Sequence, residues 1–212
     1  MANEVNLANF GSYLKNNSQI GVQSFFEFYQ QLEKFRKQDD AKNIVQKSFF
    51  LKQFPSLFEE IKSLNLADKE IKKKFLESFK RIAKQMATIN DNSIRGFIKN
   101  DRDAALMVSS SERIGGYLAM SKVSNSQLRN PYSEVKNLEL ALSICDETSE
   151  IEPSAKAKLL MLKPRLAYAA KRQEGGLSTL RDVISAAIDA VETNGDFKRF
   201  SSFFEAILAY NK

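Results

Sequence analysis

Lys158, Arg165 and Arg172 recur at intervals of seven residues, with Lys171 beside the last of them. On an α-helix that spacing sends three cations from one side over about 21 Å. The reach matches about three or four phosphates of a nucleic-acid strand. Acidic partners are sparse within the same stretch, which leaves the cations open to phosphate. From residue types alone the row reads either as a solvated face or as a backbone contact for nucleic acid.

Other chemistry has little to stand on. The chain has no histidine, which removes Ser-His-Asp and Cys-His nucleophiles and histidine-bearing zinc sites. The single cysteine, Cys145, forms no disulfide within the chain, and its place after Val135, Leu138 and Leu142 predicts a small core residue. The pairs Asp39-Asp40 and Glu59-Glu60 set carboxylates about 100° apart on a helix, and a two-metal site needs more acids converging from elsewhere. Gly115-Gly116 and Gly175-Gly176 lack the strand, spacing and lysine of a phosphate loop and read as turns. Neither a catalytic group nor a metal or cofactor is expected. No run reaches the length of a membrane span, and the opening MANEVNLANF has no signal-peptide pattern. A cytoplasmic protein is expected.

The elements that must position these residues are helices throughout: Gly and Pro are scarce, and Lys, Leu, Ala, Phe and Glu abundant. Phe25, Phe28, Tyr29, Leu32 and Phe35 mark one helical face. A second helix is expected over Ala41 to Phe54, a third opening at Pro55, and a long fourth capped by Asp68. Residues 101–123, with a serine triplet and a Gly-Gly pair, read as a linker or irregular connection. Ser124 and Gln127 fit a capping box, with Asn130 before Pro131 as the alternative start. Helix Ser154 to Arg172 should bend near Leu160, because Pro164 lacks a backbone donor. Asn194-Gly195 should form a turn and Asp196 cap a buried final helix.

Charge and aromatic content divide the chain. Residues 1–100 carry 17 basic and 11 acidic side chains, against 15 and 15 in residues 101–212. Twelve of the sixteen Phe precede residue 100, and the other four crowd the last helix. An all-α protein follows, with a basic, Phe-rich helical region over 1–100, a connection over 101–123 and a helical bundle over 124–212. The aromatic surplus of the first region leaves open a helical adaptor that docks a protein partner through it.

Three ordered segments carry a family resemblance: Ser126-Gln-Leu-Arg129; Leu162-Lys-Pro-Arg-Leu-Ala-Tyr168-Ala-Ala-Lys-Arg172; and Arg199-Phe-Ser-Ser-Phe-Phe-Glu205-Ala-Ile-Leu-Ala-Tyr210-Asn-Lys212. Residues 124–212 resemble the small subunit of type III-A CRISPR–Cas effector complexes, the Csm complexes. The resemblance implies an all-helical, non-enzymatic subunit that lines a channel for guide RNA and target RNA. Its implied partners are the repeated backbone subunits, the large signature subunit and other copies of itself. It also implies Arg129, Arg165 and Arg172 as phosphate contacts; Lys158 and Lys171 join them from helix geometry. Tyr168, Phe200, Glu205 and Tyr210 read as packing residues. The resemblance leaves residues 1–100 unexplained.

Overall fold

The computed structural model describes residues 22–52, 54–172 and 175–211, and only the backbone of Phe49, Ser56, Leu57 and Arg172. The all-helical expectation holds, and the chain divides into two units, 1–86 and 87–212. The boundary lies before the expected connection at 101–123, not within it.

In the first unit, α1 (Val22–Lys34) buries Phe25, Phe28, Tyr29 and Leu32, the side that their spacing marks. The expected helix over Ala41 to Phe54 is instead two, α2 (Gln38–Lys47) and α3 (Phe49–Lys52). Ser48 breaks them: its backbone is extended and its hydroxyl accepts from the Leu51 amide at 3.2 Å. The serine side chain competes for a backbone donor that a continuous helix would use otherwise. α4 (Pro55–Ser63) opens on proline. α5 (Lys69–Ala87) is capped by Asp68, whose carboxylate accepts from the Glu70 and Ile71 amides at 2.8 and 3.0 Å. Phe25 stacks on Phe79 at 5.1 Å and meets Phe50 edge-on at 5.5 Å, so these Phe side chains are core.

The second unit begins with α6 (Asp91–Lys99), followed by a 3₁₀ turn (Asp101–Asp103) and α7 (Ala104–Met120). The irregular connection expected at 101–123 is therefore wrong. The serines and glycines that obscure its apolar period are buried: Ser110, Ser111, Gly115 and Gly116 face the core. Gly115 shows why small residues belong there. A Cβ on it would lie 2.6 Å from Tyr210 Cβ and 2.7 Å from the Ile207 carbonyl oxygen. The remaining elements are α8 (Asn125–Leu142), α9 (Pro153–Leu160), α10 (Leu162–Arg172), α11 (Gly176–Ala190) and α12 (Asn194–Tyr210). α12 is central, packed against α6, α7 and α8, while α11 lies against α6, α7 and α10. Phe197, Phe200, Phe203 and Phe204 of α12 are fully buried.

The Ser124 capping box is the start that forms, with Pro131 inside α8. The Ser124 hydroxyl accepts from the Gln127 amide and the Gln127 carboxamide from the Ser124 amide. Asn194 and Gly195 are not a turn but the first residues of α12. Thr193 is its cap and Asp196 the reciprocal partner of the box. Cys145 is exposed rather than core, because α8 stops at Leu142, short of the turn that would bring it inside.

Candidate nucleic-acid interface

α9 and α10 were expected as one bent helix. They are two, divided at Met161. Pro164 has no N–H to offer the Leu160 carbonyl, so the ladder fails where the expectation put the bend. Each piece still buries its own stripe, Ala155 and Leu159 on α9, Leu162, Leu166 and Ala170 on α10. Across the break, the seven-residue spacing no longer fixes the angle between Lys158 and Arg165. Arg165 and Arg172 share α10 and stay about 20° apart around it.

Lysines on this helix pair divide by partner. Lys156 reaches α11 and donates to the Ile188 carbonyl at 3.2 Å and to the Val191 carbonyl, tying α9 to that helix end. Burial lowers its pKa. Lys163 pairs with Asp189 of α11 and Arg165 with Glu134 of α8. Sparse acids within the helix thus did not mean free cations, since the acids come from its neighbours. Lys158 and Lys171 are exposed and have no acidic partner among the described residues. Arg172 ends α10, and its side chain lies outside the described residues.

Arg129 stands apart. It is exposed, without an acidic partner among the described residues, one position beyond the fully buried Leu128. Around α8 it lies nearly in line with Lys136, which pairs with Glu139 and Glu205 on the α12 side. Glu134, the partner of Arg165, is about 140° further round. The five expected contacts therefore do not form one row; Arg129 occupies a different flank of α8 from Arg165.

Tyr168 was expected to pack, but it is 66% exposed. It follows Leu166 by two residues, hence about 160° from the buried stripe, and stands within one helical turn of Arg165, Lys171 and Arg172. Exposed Leu160 and Met161 precede it. The signal was present in the helical period. It was obscured because a tyrosine in an apolar stretch reads first as core. The other motif residues do brace the bundle. Phe200 is fully buried, and Glu205 accepts from the Tyr132 hydroxyl at 2.8 Å. Burial and that bond push Tyr132 up to about 12. Tyr210 is half-buried against Gly115.

Arg199, which opens the last motif, is structural as well. It donates to the Ile98 carbonyl at 2.6 Å, closing the end of α6, and pairs with Asp196 at 3.1 Å and Asp101 at 3.2 Å. Asp196 also accepts from Lys99 at 2.6 Å and from the Glu192 and Thr193 amides. Burial works against its charge, yet those four donors hold its carboxyl below the usual carboxylate range.

Among protein families, the one described as Csm2 Type III-A matches residues 101–212. The chain belongs to this family. Csm2 is the structural small subunit of the Csm complex in type III-A CRISPR defence. The Csm2 match begins at the 3₁₀ turn, so it takes in α7 but not α6, which packs in the same unit. No curated protein and no solved structure matches the chain. No helix among the described residues is long and apolar enough to cross a membrane.

Proposed function

We propose that the chain is a non-catalytic, RNA-binding structural subunit of the type III-A effector. Its C-terminal unit holds guide RNA and target RNA through backbone contacts and lines their channel. Its neighbours in the complex are the repeated backbone subunits, the large signature subunit and other copies of itself, in the cytoplasm. One observation carries the reading: Lys158 on α9 and Lys171 on α10 stand exposed without acidic partners among the described residues, and Tyr168, within a helical turn of Lys171, is exposed as well. Cations bind phosphate without reading bases, and an aromatic face stacks on any base. Arg165 remains in the set, because an exposed ion pair such as Arg165–Glu134 contributes only about 0–1 kcal/mol and a phosphate can replace the carboxylate. Arg129 contributes a contact on its own flank, and Arg172 continues the α10 row.

The adaptor reading has less support. Phe25, Phe26, Phe28, Phe50, Phe75 and Phe79 are buried in the first unit, and the exposed large apolar side chains among the described residues all lie in 101–212.

Reversing Lys158, Arg165 and Lys171 to Glu in the assembled complex is expected to weaken target-RNA retention at least about tenfold and to lower its salt dependence. Glu134→Gln, which releases Arg165, should leave retention equal or tighter. Retention untouched by the triple reversal sinks the assignment. Weakening by Glu134→Gln would remove Arg165 from it.

A further inference from the structure

The N-terminal unit carries a second row of cations, in better register than the first. Lys69, Lys73 and Lys80 lie on α5, within about 40° of one another and over about 16 Å. At the same spacing per phosphate, that length corresponds to about three phosphates along one strand. All three are exposed, and none has an acidic partner among the described residues. With Tyr29 of α1 and Leu76 they line a groove between α1 and α5.

Two features make this more than a solvated face. The first is Tyr29, which is 1% exposed and whose hydroxyl has no hydrogen-bond partner among the described residues. A buried donor left unsatisfied is destabilising, and an acceptor entering the groove would relieve it. The second is the charge of the lining. Its acids are Glu33 and Glu77, fewer than its lysines. The fourth lysine, Lys72, is occupied: it donates to the Phe35 carbonyl at 2.6 Å and lies 3.9 Å from the centre of that ring. It fixes the groove wall and leaves the other three to a ligand.

We propose that this groove is a further binding site for the phosphate backbone of single-stranded RNA, with Lys69, Lys73 and Lys80 on successive phosphates and the Tyr29 hydroxyl donating to a phosphate oxygen. The preference for a polyanion stands on the groove alone. The choice of RNA as that polyanion rests on the function proposed above. This site lies wholly outside the residues that the family match covers.

The test uses the full chain and a labelled, unstructured RNA of about thirty nucleotides, followed by fluorescence anisotropy over a range of salt. Lys69→Glu/Lys73→Glu/Lys80→Glu should weaken binding at least about tenfold and reduce the salt slope by about 2. Tyr29→Phe, which keeps the ring, should weaken it several-fold with the slope unchanged. Should the triple reversal misfold by circular dichroism, the three Lys→Gln changes are expected to act in the same direction. Affinity within twofold of the unaltered chain for either triple variant overturns the site. Arg129→Glu/Lys158→Glu/Lys171→Glu, run in parallel, separates the two proposals. Loss only with the C-terminal set refutes the groove and keeps the channel contacts, and loss only with the N-terminal set does the reverse. Loss of binding to phosphatidylserine vesicles or to polyglutamate, with RNA binding intact, would reassign the groove to a membrane surface or an acidic protein and refute RNA.

Discussion

At the scale of residues, a charged side chain's role is decided by what stands opposite it. Lys163 and Lys171 are both lysines on the same helix, yet one pairs with Asp189 and the other has no acid within reach among the described residues. Asp196 is the extreme case, a carboxylate 3% exposed with Lys99, Arg199 and two amides around it. Because its folded pKa is depressed, its contribution is complete above the unfolded value of about 3.9. That contribution is lost as pH falls through the lower folded value. Asp196→Asn is expected to lower stability by about 2–4 kcal/mol near pH 7, by leaving Lys99 and Arg199 without their buried partner. Its Tm should also fall less than that of the unaltered chain between pH 5 and pH 3. Parallel Tm curves for the two proteins would remove Asp196 from the acid limb. Tyr168 makes the opposite case, a ring 66% exposed on α10. Tyr168→Ala should change stability by less than about 1 kcal/mol while weakening RNA retention by about 1–3 kcal/mol. Tyr168→Phe should restore retention, and failure to do so would exclude stacking.

At the scale of elements, helix ends and breaks were set by local chemistry, and helix faces by neighbours. Asp68, Ser124 and Pro55 start helices as their types require. Pro164 splits α9 from α10 because a missing donor cannot be supplied by packing. Ser48 was harder to foresee, since a serine inside an apolar pattern is tolerated as often as it terminates. α7 escaped recognition for a tertiary reason: Gly115 is small because α12 crosses against it, so its sequence lacks the apolar stripe that identifies a helix alone. Gly115→Val is expected to cost at least about 1–3 kcal/mol, since the blocking atoms include the Ile207 carbonyl and Tyr210 backbone, which cannot swing aside. Equal chemical-denaturation midpoints for the variant and the unaltered protein would contradict that close approach.

At the scale of the whole molecule, the charge asymmetry follows the unit boundary. Residues 1–86 carry 15 basic and 10 acidic side chains, residues 87–212 carry 17 and 16. The boundary makes α6 part of the C-terminal unit. Ile94, Phe97 and Ile98 are buried there, Phe97 lies 4.8 Å from Phe203, and Arg199 closes the helix end. Burying each such side chain contributes about 1.5–3 kcal/mol, so the three together approach the whole stability of an ordinary domain. A fragment of residues 87–212 should therefore unfold cooperatively, whereas 101–212, the span of the family match, should be destabilised by several kcal/mol or fail to fold. Equal melting of the two fragments would deny α6 its place.

Composition and period were enough for the all-helical class, the Asp68 and Ser124 caps, the core stripes of α1, α10 and α12, and the three family motifs, because each depends on residues within a turn or two of one another. The division of cations into paired and unpaired, the exposure of Tyr168 and Cys145, the helix hidden at 104–120 and the transfer of α6 to the second unit were decided only by the tertiary structure. Each of these depends on which distant segment packs opposite: Glu134 against Arg165, Asp196 against Lys99, α12 against Gly115. Of the seven-residue row, Arg165 is paired with Glu134, and the exposed Lys158, with Lys171 beside the row's end, defines with it the surface that the proposed function uses.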